Sequence, residues 1–204
     1  MLLSGPQIAD EVKKGTIVID PYNPDRINPN SYDLCLDKGL AVYATLYPSN
    51  EFPWAPAGVG DKTWTGEPYK PYGYLDMKRE EELITKEIPD TGLILYPGVL
   101  YLGSTVERTF TDKYAPKIDG KSSVGRLGMG VHVTAGFGDV GFDGRWTLEI
   151  TVVHPLKVYP GVPICQVAFS DVKGDLAPYR GLYQHQTGIA KSRYFQRFRD
   201  PKSL

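Results

Sequence analysis

The stretch KIDGKSSVGRLGMGVHVTAGFGDVGFDGRWTLEI, residues 117–150, carries eight glycines, a Lys-Ser-Ser turn and an alternating strand pattern at its end. In RWTLEITVV, residues 145–153, Trp146, Leu148, Ile150 and Val152 fall on one face of a strand. Thr147, Glu149, Thr151 and Val153 fall on the other. Closed off by a partner or ligand, the Glu149 face would shift its carboxyl upward and let it relay protons. Facing water, Glu149 is one more surface glutamate.

Upstream, DGKSSVGR at 119–126 combines a turn glycine, the Ser122 and Ser123 hydroxyls, and the cations Lys121 and Arg126. Such a group suits phosphate oxygens. It lacks the spacing of a P-loop, and taken alone it reads first as a polar turn. TAGFGDVGFDG at 134–144 surrounds Asp139 with four glycines. Glycine lets backbone approach a ligand closely, and a carboxylate there can bind a hydroxyl or orient a water. The plainer reading is a Gly/Asp hairpin.

The rest of the chain sets the frame. Its 204 residues suit a single domain with a sizeable core. The formal charge of −1 argues against a nucleic-acid coat or a polybasic membrane anchor. No apolar run approaches the roughly 18 residues of a membrane span. The start lacks a signal-peptide pattern, so the expected location is cytoplasmic. Two distant cysteines, Cys35 and Cys165, imply reduced thiols. Three scattered histidines and no C-x-x-C pair argue against zinc. His132 reads as a structural or pocket-lining residue, and His154 and His185 as surface or interface residues.

Abundant Gly, Pro and Tyr with few long periodic segments point to a mainly β protein. One short helix is expected over 4–15, capped by Ser4 and stopped by Gly15. Strands follow at 16–20, 31–37, 92–98, 100–108, 145–154, 156–161 and 163–174, a spacing that suggests a sandwich or barrel. Residues 47–74 read as an aromatic, Pro/Gly-rich insertion. MKREEELITKEI at 77–88 fits either a helical turn or a charged strand. The tail, 179–204, would be mobile unless tied down.

Together these motifs resemble the dCTP deaminase branch of the dUTPase-like superfamily. GKSSVGRLG is similar to its G-[RK]-S-S-x-x-R-L-G signature. HVTAGFGDVGFDGRWTLEI resembles its T-A-x-x-x-D-x-G-[FW]-x-G-x-x-x-L-E segment. NPNSYDLCL, LYPG and YQHQTGIAKSR resemble its early strand, its Pro-Gly turn and its nucleotide-covering tail. The likeness covers most of the chain apart from about 44–80.

The resemblance implies a distorted β-barrel, or jelly-roll-like core, assembled as a homotrimer with active sites between subunits. It implies zinc-independent deamination of dCTP. Glu149, Ser122, Arg126 and Asp139 would be the catalytic set. Lys121, Ser122, Ser123, Arg126, Val133, Thr134, Ala135, Asp139, Tyr183 and Gln186 would bind the nucleotide. Mg²⁺ would be held by phosphates and water, and dTTP is admitted as an inhibitor. Some members only deaminate; others also hydrolyse the product to dUMP and diphosphate. The segment Thr134–Asp139 resembles the second kind and the preceding HVT the first, so both stand, beside a pure dUTPase and a catalytically silent nucleotide binder. Leu182 replaces the family's tail lysine, with Arg180 as the candidate substitute.

Overall fold

The computed structural model describes residues 1–47, 54–56 and 71–199. Most of the expected insertion at 47–74 therefore lies outside the described residues. The first element is helix α1, Gly5–Lys14. It forms as its caps dictate: the Ser4 hydroxyl accepts the Gln7 N–H at 3.4 Å, and Gly15 ends it in the left-handed region at φ 75°. Strands follow as β1 (Val18–Asp20), β2 (Tyr32–Tyr43), β3 (Trp54–Pro56), β4 (Leu83–Glu87), β5 (Leu93–Leu95), β6 (Tyr101–Phe110) and β7 (Tyr114–Gly120). A single helical turn, α2 (Ser122–Gly125), precedes β8 (Met129–Gly130), β9 (Asp143–Val152), β10 (Leu156–Val158) and β11 (Pro163–Asp171). A short α3, Gln196–Arg199, ends the described chain.

The main sheet runs β7-β11-β2-β6-β9-β8, with β1 added on β6 and β4 on β2; β10, β5 and β3 form a second, smaller sheet. Every pairing is antiparallel. The loop after β8 returns beside β7. There the Ile118 N–H donates to the Gly136 carbonyl at 2.7 Å, and the Gly138 N–H to the Pro116 carbonyl at 2.9 Å. These bonds join the two ends of the sheet, leaving a nearly closed barrel. Residues 134–142 are thus a closing loop rather than a hairpin.

The interior follows the period-2 patterning of the strands. Tyr32, Leu34, Leu36 and Leu40 of β2, Tyr101 of β6, Leu148 and Ile150 of β9, and Val167 and Phe169 of β11 are all buried. Glu107 is buried with them. The Glu107 side chain, 0% exposed, is ion-paired to Arg26 and accepts the Cys35 N–H at 2.8 Å. Burial pushes its carboxyl above the usual range. Cys35 and Cys165 are free and buried, and burial raises the Cys35 thiol to about 11.

The stretch 77–88 resolves into a turn followed by strand β4, paired to β2 from Gly39 to Tyr43. Its partly buried Ile84 packs against the main core and Leu83, on the other face, against Ala41, Tyr43 and Leu102, whereas Thr85, Lys86 and Glu87 stay exposed. Charges on such an edge discourage further strand pairing.

Candidate active site

Strand β9 sets the first half of the site. Leu148 and Ile150 point into the barrel, so Thr147 and Glu149 must face outward. Glu149 is half-buried, and its Oε2 accepts the Val133 N–H at 2.8 Å. It borders a groove of about 340 Å³ that Asp139, Trp146, Thr147, Tyr183 and Gln186 also line. Phe137 stands at the same groove with 79% of its surface exposed. Tyr43 lines the groove from β2; burial pushes its phenol upward, and the negative charge of Glu149 adds to that.

The tail crosses this groove and is tied down along its length. The Tyr179 N–H donates to the Val140 carbonyl at 2.7 Å, and the His185 N–H to the Asp143 carbonyl at 2.7 Å. Arg145 donates its N–H to the Gln186 carbonyl at 2.9 Å. The Gln186 amide nitrogen in turn donates to the Arg145 carbonyl. Further on, the Ala190 N–H donates to Thr147 Oγ1 at 3.0 Å, and the Ser192 N–H to the Tyr43 hydroxyl at 3.1 Å. Gln186 Oε1, a buried acceptor, has no partner among the described residues. A buried acceptor at the wall of a polar groove is where a ligand donor gains most.

The Lys-Ser-Ser turn lies elsewhere on the chain. Lys121, Ser122 and Ser123 line a second hollow of about 360 Å³ with Asn28, Asn30 and Ser31. Lys121 is ion-paired to Asp33, whose other oxygen accepts from Asn28 Nδ2 at 2.6 Å. Ser122, Ser123 and Arg126 are exposed. Val133, Thr134 and Ala135 are exposed too and line neither hollow; Val133 meets the site through its N–H alone. One chain therefore brings Glu149, Asp139, Tyr183 and Gln186 together and holds Lys121, Ser122 and Ser123 in a separate hollow.

Several groove residues escaped the sequence reading, Thr147, Tyr43 and Lys191 among them. Thr147 had a signal, since it lies two residues before Glu149 on the same strand face. Tyr43 and Lys191 had none, because they reach the groove from distant segments. Arg180 is exposed and outside the groove; the tail cation that lines it is Lys191. His132 is half-buried and its Nδ1 has no partner among the described residues, while His154 and His185 are exposed.

A dCTP deaminase-like family model matches residues 2–53 and 59–172. The chain belongs to the dCTP deaminase-like family. A protein of Clostridium acetobutylicum named dCTP deaminase, dUMP-forming, is 45% identical over 97% of this chain and 99% of its own length. One of the same name from Cytophaga hutchinsonii is 45% identical with the same coverage. Another from Leptospira biflexa is 44% identical over 97% of this chain and 98% of its own. Among solved structures, the 2'-deoxycytidine 5'-triphosphate deaminase of Agrobacterium tumefaciens shares the fold. It superimposes with a TM-score of 0.54 at 20% identity, covering 84% of this chain and 48% of that one.

Among the described residues, no group of three or more His, Cys, Asp or Glu is placed to hold a metal ion. Among the same residues, no helix is long and apolar enough to cross a membrane.

Proposed function

We propose that this chain deaminates dCTP and carries the product on to dUMP and diphosphate. The observation that carries the reading is the Glu149 carboxylate, held by the Val133 N–H in a tail-covered groove that Asp139 also lines. In this reading a water attacks C4 of the cytosine. Glu149 takes a proton from that water and passes it to N3. The proton of the new C4 hydroxyl then passes, again by way of Glu149, to N4; the C4–N4 bond breaks, C4=O forms and ammonia leaves. In the second reaction Asp139 orients a water against the α-phosphorus, and diphosphate departs. The relatives' dUMP-forming names support this second step.

Ser122 and Arg126 belong to the proposed catalytic set, yet they stand outside the groove of their own chain. A homotrimer would supply them: a neighbouring copy's Lys-Ser-Ser turn would complete the groove and shield Glu149 from water. Lys121, Ser122 and Ser123 would then meet the triphosphate, and Gln186 Oε1 would accept a hydrogen bond from the nucleotide. The donor set fits a Mg²⁺ that arrives with the triphosphate, since such an ion keeps phosphate and water ligands and needs no protein cage. When bound it offsets phosphate charge.

The test is to incubate the protein with dCTP and Mg²⁺ and resolve dUTP, dUMP, diphosphate and ammonia. Ammonia together with dUMP is the expected result. Cleavage of dUTP with inert dCTP would instead mean a dUTPase, and silence a binding protein. Glu149→Gln should lower ammonia release about 10²–10⁴-fold while nucleotide still binds. Unchanged turnover in that variant refutes the relay.

A further inference from the structure

Three consecutive tail residues are gripped by three separate parts of the barrel. Ala190 and Ser192 give their N–H groups to Thr147 and Tyr43, at 3.0 and 3.1 Å. Lys191, between them, lines the groove and sends its ammonium back to the segment before β4. Its Nζ lies 3.1 Å from Glu80 Oε1 and 3.0 Å from Glu82 Oε1. Arg199 adds a longer contact to Glu80 at 3.8 Å and lies 4.6 Å over the ring of Phe195, itself 3% exposed.

The acidic triplet is divided by function. Glu81 turns inward, where it bonds Thr45, Arg79 at 2.8 Å and the Asp76 N–H at 3.3 Å. The Glu82 carbonyl accepts the Ala44 N–H at 2.9 Å. The segment is thereby fixed to the barrel, and Glu80 and Glu82 are left to face the tail. Two carboxylates on one ammonium also offset the charge of Lys191.

We propose that Glu80 and Glu82 are positioning residues that hold Lys191, and with it the tail strap 190–192, closed over the Glu149 groove. The consequence for catalysis rests on the reading of that groove as the nucleotide site; the closure itself does not. The two roles open to Lys191 predict opposite results. If Glu80 and Glu82 position the strap, removing their charge weakens nucleotide binding. If they merely mask a phosphate-binding lysine, removing their charge tightens it.

The experiment pairs amide hydrogen exchange with kinetics on the full chain. In Glu80→Gln/Glu82→Gln, exchange at Ala190 and Ser192 should quicken about 3- to 10-fold, the scale of a pair of partly exposed ion pairs. Exchange at Leu148, in the β6–β9 ladder, should not change, which shows that the barrel is folded. KM for dCTP should rise by a similar factor with kcat changed less. Exchange of the strap in the unaltered protein should also quicken with salt, and that of the variant should not. The charge-swapped Glu80→Lys/Glu82→Lys/Lys191→Glu should restore protection. Unchanged strap exchange in the Gln variant overturns the proposal. A lowered KM, or an unchanged KM beside a loosened strap, overturns the positioning role. Should the unaltered protein turn over no dCTP, the nucleotide reading fails, and the exchange data still decide whether the clamp exists.

Discussion

Gly138 allows a sharp test of how the barrel is closed. A Cβ placed there would lie 2.3 Å from Trp146 Cη2, 2.9 Å from Pro116 Cγ and 3.0 Å from the Pro116 carbonyl oxygen. Neither side can yield easily. The Gly138 N–H is bonded to the Pro116 carbonyl at 2.9 Å. The Trp146 indole donates to Thr109 Oγ1 at 2.8 Å, and its ring centroid lies 4.7 Å from that of Phe142. Gly138→Ala should therefore cost about 1–3 kcal/mol, the usual range for forcing atoms into a filled space. In a domain of this size that lowers Tm by roughly 2–12 °C, measured by thermal unfolding. Trp146→Phe removes the atom that the new methyl strikes. In that background the alanine penalty should fall by about half, a coupling that a double-mutant cycle reads directly. The residual half belongs to Pro116. Equal penalties in the two backgrounds would refute the steric account. Because Asp139 is the next residue, dUMP formation should fall along with stability in Gly138→Ala.

Other outcomes follow from neighbouring groups. Asp139→Asn should retain ammonia release from dCTP and lose dUMP formation about 10²-fold or more, resolved by product analysis; equal loss of both steps would refute separate roles. Arg26→Met should destabilise the fold by about 3–5 kcal/mol at pH 7 in urea unfolding, because Glu107 is left buried without its partner. Glu107 already has a raised carboxyl, so its folded form favours the proton. Its contribution is then full below the ordinary glutamate range near pH 4.3 and is lost as pH rises through the folded value. Loss of Arg26 raises that value further, so the variant's deficit should be smaller at pH 5 than at pH 7. A pH-independent deficit would overturn the assignment.

Much of this was legible in the chain, and the reason differs by feature. Helix α1 could be bounded because Ser4 and Gly15 act within one turn of their targets. The inward and outward faces of β9 could be sorted because the strand period is local. Residues 77–88 could not be assigned, since their charges suit either element; pairing with β2 and the packing of Leu83 and Ile84 decided for a strand. The tail's order was open for a similar reason. Its anchors, Val140, Asp143, Thr147 and Tyr43, lie on separate segments that meet only in the barrel.

The β class, the short leading helix and the Glu149 strand face could be read from residue order, because each rests on interactions between near neighbours, and the family's motifs could be read from their order along the chain. The tertiary structure alone decided that the 134–142 loop closes the barrel, that Lys191 rather than Arg180 reaches the groove, and that the Lys-Ser-Ser turn sits apart from Glu149 within one chain. Those facts depend on which distant segments the sheet brings side by side, and residue spacing along the chain does not encode that distance.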